Sequence, residues 1–174
     1  SRLEVVPDAR TGDGDCRMDG RRGGAGSAAL SLMTYLSRPP EEHIEDPKHV
    51  EAIYRDNDAE IMEGLALTMV DMIDEDGKVF RNYTQAMTLD KVEKEPLYYP
   101  GEVMLALTRY YEVTEDERWL QAAEAIAANQ IRIYKKNRWS NPDHWVMQAL
   151  DLLYRNTGNP DYAERAIQMG THHA

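Results

Sequence analysis

Two carboxylates in this sequence stand at positions where they could carry out acid–base chemistry. Glu102 directly follows the stretch Leu97–Gly101, which contains two tyrosines, and Asp143 comes directly before His144 and Trp145. Sugar hydrolysis needs two carboxyl groups roughly 5 to 9.5 Å apart, one of them a proton donor. We predict that Glu102 and Asp143 form such a pair. The alternative is that both residues only cap helices and interact with helix dipoles.

The neighbouring side chains could hold a sugar. His144 could transfer a proton or orient a hydroxyl group, because the pKa of an imidazole lies near neutrality. Tyr98, Tyr99 and Trp145 could stack on sugar rings, and Arg22 could clamp a carboxylate. Each has a structural alternative: a packed histidine, aromatic side chains in the core, and an arginine in a solvated ion pair.

The charge of the chain limits its partners. With 20 Lys+Arg against 31 Asp+Glu, the formal net charge is -11 and the pI is about 4.9. Such a chain repels phosphate backbones, so we expect no nucleic-acid partner. No apolar run approaches the roughly 20 residues that span a bilayer, so we expect a soluble protein with no membrane partner. The single Cys16 excludes an internal disulfide and leaves cytoplasmic and secreted locations both open.

No cofactor or metal is predicted. The sequence has no Walker loop, dinucleotide-binding fingerprint, nucleophile elbow or zinc-helix motif. Asp13, Asp15 and Asp19 resemble a calcium loop only faintly, because Arg17 occupies a position where an oxygen ligand is needed. These absences leave an enzyme based on carboxylates among the possible classes.

Apolar periodicity predicts an all-α fold with a short extended segment at its N-terminus. Residues 3–6 suggest a strand, and an irregular loop follows to residue 24. Six helices are expected, over Ser27–Leu36, Asp58–Ile73, Pro100–Tyr111, Glu115–Lys136, a segment capped by Asn141-Pro142 and reaching Tyr154, and Asp161–Met169. The first, third and fifth are apolar on more than one face, whereas the others carry one apolar stripe. This alternation predicts an inner and an outer layer.

An internal repeat supports pairing of the helices. Residues 43 positions apart correspond, as in Ala106-Leu107 with Ala149-Leu150, Tyr111 with Tyr154, Thr114 with Thr157, Trp119 with Tyr162, and Ala123 with Ala166. A period near 43 residues suits an α-solenoid or a toroid built from helical hairpins. We therefore predict three antiparallel hairpins, with the N-terminal ends of helices one, three and five at one rim.

Two stretches, Tyr98–Ala123 and Asp143–Ala163, resemble bacterial α/α-toroid proteins of the six-hairpin glycosidase-like superfamily. This resemblance implies inner and outer helices around a funnel, with carboxylates at one mouth that hydrolyse, cleave or epimerise sugars. Three hairpins are half of such a ring, so the resemblance implies part of a toroid. We expect one domain over residues 1–174, with hairpins in 25–174. A start at Ser1-Arg2 without an initiator Met fits a processed or excised fragment.

Three functions follow from these patterns. The first is a carbohydrate-processing domain, glycosidase-like or uronate-acting, with a small-molecule or oligosaccharide ligand. The second is a non-catalytic helical-repeat module that binds a protein or a glycan on its concave face. The third is a terpene-cyclase-like toroid, which is weakened because the sequence has no clear acid-rich cluster for isoprenoid chemistry. In a toroid, self-association or a second chain would complete the ring.

Overall fold

A computed structural model describes residues 3–5, 16–18, 24–38, 58–81, 97–137 and 143–171. The described helices are α1 (Ala25–Leu36), α2 (Asp58–Val70), α3 (Tyr99–Thr114), α4 (Glu117–Asn137), α5 (His144–Thr157) and α6 (Pro160–Thr171). Strands β1 (Leu3–Val5) and β2 (Cys16–Met18) pair antiparallel, with Leu3 opposite Met18. The all-helical prediction with a short extended N-terminal segment is therefore confirmed. Within the described residues, no helix is long and apolar enough to cross a membrane.

Helix α3 is the centre of the helical packing. It packs against α1, α4 and α5, while α1 also packs against α2 and α5 against α6. Every residue of α3 from Pro100 to Thr108 is buried, because neighbours surround its first half. In α4, by contrast, the fully buried residues lie on one stripe, at Trp119, Leu120, Ala123, Ile126 and Ala127. The predicted difference between broad and narrow apolar faces is thus observed for these two helices. It was wrong for two others. Helix α2, predicted to have one apolar stripe, buries residues on more than one face, and α5, predicted to be broad, buries one stripe formed by Val146, Ala149, Leu150 and Leu153.

The turns that follow α3 and α5 are built alike. Their equivalent residues lie 43 positions apart, at Tyr111 and Tyr154, Thr114 and Thr157, and Glu115 and Gly158. The residue after each helix is left-handed, with φ 56° in the first turn and 72° in the second. Its N–H donates to the tyrosine carbonyl at 2.7 and 2.8 Å, and each threonine hydroxyl donates to a carbonyl of its own helix. The sequence repeat therefore corresponds to a repeated turn.

Three predicted helix boundaries were wrong. Helix α2 ends at Val70, because Ile73 forms a β-bridge with Val79 after a tight turn. Helix α4 begins at Glu117, because left-handed Glu115 belongs to the preceding turn. Helix α5 begins at His144, directly after its N-cap Asp143. Asn141 and Pro142 themselves lie outside the described residues, as does Arg22.

Candidate carboxylate site at the helix N-termini

The first turns of α1, α3 and α5 lie against one another, and two glycines permit the contacts. A Cβ atom on Gly26 of α1 would lie 2.5 Å from Glu102 Oε2 and 2.7 Å from the Tyr99 ring. A Cβ atom on Gly101 of α3 would lie 2.6 Å from the backbone nitrogen of Val146 in α5. Real Cβ atoms do not approach other atoms so closely, so side chains at these positions would separate the helices. The N-terminal ends of α1, α3 and α5 therefore lie side by side.

Glu102 lies in the first turn of α3 and is almost completely enclosed. Only 8% of the residue is exposed, and its buried Oε2 atom has no hydrogen-bond partner in the part of the chain that the structure describes. Burial raises the pKa of the Glu102 carboxyl, the negative charge of Asp143 raises it further, and His144 partly opposes both effects. A carboxyl group in these surroundings holds its proton to a higher pH than an exposed glutamate does.

Asp143 is the N-cap of α5. Its Oδ1 atom accepts hydrogen bonds from the N–H groups of Trp145 at 2.9 Å and Val146 at 3.4 Å, whereas its buried Oδ2 atom has no partner. Burial raises the pKa of Asp143, and the two backbone hydrogen bonds and His144 lower it. The capping role expected as an alternative is therefore present. The charge of Asp143 nevertheless acts on Glu102 as well.

The predicted aromatic contacts differ in exposure. His144 is exposed and lies against the half-buried Trp145, with ring centroids 4.7 Å apart and planes tilted by 38°. Tyr99 is half-buried against Gly26, and Tyr98 is 45% exposed. Arg22 lies outside the described residues, so its predicted contact stays a prediction. The structure thus brings Glu102, Asp143, His144, Tyr99 and Trp145 to the same helix ends.

Sequence reasoning missed the two packing glycines. Gly26 and Gly101 both stand in the first turn of a helix, where glycine is a poor helix former. Their place beside the predicted site residues was a usable signal, because glycine inside a helix often marks a close approach of another chain segment. Among the described residues, no group of three or more His, Cys, Asp or Glu side chains could hold a metal ion.

No protein-family model matches this chain, and neither a curated protein nor a solved structure matches it significantly. The resemblance to the six-hairpin glycosidase-like superfamily therefore stays a prediction. The residues at the three helix N-termini are therefore the features of this chain that indicate a function.

Proposed function

We propose that this chain is a carbohydrate-processing domain of the α/α-toroid type, glycosidase-like or uronate-acting, in which Glu102 donates a proton to the leaving group. The observation that carries the proposal is the buried Glu102 carboxyl, which has one unpartnered oxygen and a neighbouring negative charge. Both features favour the protonated form, which a general acid must keep until it meets its substrate.

The helix contacts support the toroid part of the proposal. Helices α1, α3 and α5 form a row, and each packs against the helix that follows it in sequence. Connections of two residues join α3 to α4 and α5 to α6, which suits antiparallel hairpins. In a toroid, the row would be the inner layer and its N-terminal end would be the mouth. Helix N-termini also favour anionic ligands, such as the carboxylate of a uronic acid.

Asp143 is the proposed second carboxylate. Its Oδ1 atom is occupied by the helix cap, so Oδ2 is the oxygen that would activate water or stabilise positive charge on the sugar. His144, Tyr98, Tyr99 and Trp145 would contact the sugar rings, and Arg22 would contact a carboxylate on the substrate. The exposed Tyr98 and His144 are the members of this group most open to a ligand.

The test is hydrolysis of a panel of 4-nitrophenyl glycosides that includes uronides. We expect the wild-type chain to release 4-nitrophenol from at least one of them. Glu102→Gln keeps the shape of the side chain but removes its acid, so the rate should fall about 10²- to 10⁴-fold. Glu60→Gln is the matched control, because Glu60 also lies in the first turn of a helix but is exposed.

The two variants make the result decisive. Loss of activity in Glu102→Gln, with wild-type activity in Glu60→Gln, would support the assignment of Glu102. Failure of the wild-type chain to hydrolyse any member of the panel would argue against the glycosidase proposal. Equal rates for wild type and Glu102→Gln would remove Glu102 from the chemistry.

One observation favours a second function, a non-catalytic module that binds a glycan or a protein. Leu97 and Tyr98 are 49% and 45% exposed directly before α3, and exposed apolar side chains often belong to binding surfaces. Binding through these residues and Trp145 needs no proton transfer. In glycan-array measurements, Glu102→Gln would then bind as wild type does, whereas Tyr98→Ala and Trp145→Ala would lose binding. Loss of binding in Glu102→Gln alone would contradict this second function.

A further inference from the structure

Arg165 of α6 is a buried cation that has no counter-ion among the described residues. Only 4% of the residue is exposed, and its Nε and Nη1 atoms are buried without hydrogen-bond partners. None of the ion pairs among the described residues includes Arg165. Burial of an unpaired charge is unfavourable, and a guanidinium group keeps its proton in proteins. Arg165 therefore lacks an acceptor that its surroundings would be expected to supply.

The guanidinium group lines a cavity between α4 and α6. This cavity has a volume of about 410 Å³, which lies in the range of small-molecule sites. Its other walls are Ile131, Tyr134 and Lys135 from α4, and Asp161, Glu164 and Gln168 from α6. A second cavity of about 320 Å³ shares Ile131, Lys135 and Asp161 with it, so the two spaces are neighbours along the same groove.

The nearby side chains do not satisfy Arg165. Its guanidinium carbon lies 3.7 Å from the centroid of the Tyr134 ring, which is a cation–π contact. This contact holds the guanidinium group in place, but the ring does not accept hydrogen bonds from the N–H groups, which point outward in the guanidinium plane. The Oε1 atom of Glu164 accepts a hydrogen bond from Gln168 at 2.9 Å. The Oε1 atom of Glu124 accepts one from the Tyr162 hydroxyl at 3.0 Å. Among the described residues, no hydrogen bond or ion pair joins either acid to Arg165, so the donors of Arg165 are left for a ligand.

We propose that this cavity binds a small organic monocarboxylate, with its carboxylate on Arg165 and its apolar body against Ile131 and Tyr134. Charge-assisted hydrogen bonds to a carboxylate are the strong kind that a guanidinium group makes best. Asp161 and Glu164 of the same helix also line the cavity and repel a second negative charge, so a phosphate dianion fits less well. Neither Glu102 nor Asp143 lines the cavity, so this site is separate from the carboxylate site.

The test compares benzoate with its neutral analogue benzamide by thermal unfolding of the whole chain. Benzoate should raise Tm in proportion to the logarithm of its concentration once it exceeds Kd, because it binds only the folded state. Benzamide and inorganic phosphate should raise Tm less. Arg165→Met keeps an unbranched apolar stem but removes the charge and the N–H donors, and should weaken benzoate binding at least about tenfold. Arg155→Met is the matched control, because Arg155 is 68% exposed and pairs with Asp151 on α5.

Each outcome decides the proposal. A benzoate-dependent rise in wild type and in Arg155→Met, absent in Arg165→Met, supports it. No rise in wild type, or an equal rise in Arg165→Met, overturns it. A larger rise with phosphate than with benzoate overturns the assignment to a monocarboxylate.

A second measurement uses the wild-type chain and so does not depend on the folding of a variant. The Nε–H group of Arg165 is buried, so its proton should exchange slowly with water, unlike those of exposed arginines. Its ¹H–¹⁵N resonance should therefore be observable. Benzoate should shift this resonance progressively, and benzamide should not. An unchanged Arg165 resonance at saturating benzoate would contradict the proposal.

Discussion

The carboxyl group of Glu102 is placed where two physical effects act in the same direction. Burial removes water from the charged form, and the negative charge of Asp143 repels a second negative charge. An exposed glutamate in the first turn of a helix would instead be stabilised as an anion by the helix dipole. The surroundings of Glu102 therefore suit proton storage better than they suit helix stabilisation.

The raised pKa of Glu102 predicts a dependence of stability on pH. The folded state binds the proton more tightly than the unfolded state, for which the ordinary pKa is 4.5. The stabilisation is therefore complete below pH 4.5 and is lost as the pH rises through the folded-state pKa. Glu102→Gln cannot ionise and should match wild type near pH 4 but be more stable at neutral pH. Unfolding in urea at a series of pH values measures this difference, which grows by about 1.4 kcal/mol for each unit of pKa shift.

Two controls accompany this measurement. Glu60→Gln should not become more stable than wild type at neutral pH, because the Glu60 side chain is exposed to solvent. Asp143→Asn keeps an oxygen for the helix cap but removes the charge, so it should lower the pKa of Glu102. A stability difference between Glu102→Gln and wild type that is the same at pH 4 and pH 7 would contradict the proposed burial of the carboxyl.

From the sequence, we could predict which acidic residues stand at helix N-termini, but not which arginine is buried. Glu102 and Asp143 could be chosen because each stands beside a helix-initiating pattern. Arg165 was missed, because one arginine in an acidic chain is normally part of a solvated ion pair. Its spacing from the buried Tyr162 and Met169 places it on the apolar stripe of α6, and this is the signal that could have revealed it.

At the scale of elements, local rules located the six helices but not all of their ends. Pro100 lies in the first turn of α3, as expected for a residue favoured there, whereas Pro160, predicted to lie in the break before α6, is the first residue of that helix. Glu115 was assigned to α4 because acidic residues favour helix starts, yet it adopts the left-handed conformation that usually selects glycine. Glycine stands at the equivalent position, Gly158, so the repeat itself held the information.

The close approach of α1 to α3 predicts opposite effects for two similar substitutions. Gly26→Ala places a methyl group against the Glu102 carboxylate and the Tyr99 ring, so it should destabilise the fold by roughly 1–3 kcal/mol. Gly170→Ala adds the same methyl group in α6, where no atom lies within 4 Å of it. Alanine is the better helix former, so this variant should gain about 0.5–1 kcal/mol.

Chemical denaturation of both variants measures these changes. The control shows the intrinsic helix preference alone, and the difference between the variants isolates the packing of α1 on α3. Stabilisation by Gly26→Ala of the same size as by Gly170→Ala would mean that the first turns of α1 and α3 do not touch. That result would also remove the physical basis for a site shared by the three helix ends.

At the scale of the whole molecule, the width of the apolar face predicted that α3 is central, but it did not predict the broad burial of α2 or the single buried stripe of α5. Periodicity reports how much of a helix surface is covered, and so it identified α3 correctly. It does not report the angles between successive helix pairs, which decide whether a row of helices curves and closes. The toroid therefore depends on the family resemblance, whereas the order of packing is visible in the contacts themselves.

Because α3 packs against α1, α4 and α5, one truncation in it should weaken most of the helical structure together. Leu107 is fully buried in α3, so Leu107→Ala should cost about 2–5 kcal/mol. Ile167→Ala is the control, because Ile167 is 65% exposed and its truncation should change stability by less than about 0.5 kcal/mol. Hydrogen exchange followed by mass spectrometry would show where the loss is felt. If α3 joins its neighbours into one cooperative unit, Leu107→Ala speeds exchange in α1, α4 and α5 by the same factor as in α3. Faster exchange confined to α3 and α4 would mean instead that each helix pair unfolds separately, as the repeats of a solenoid can.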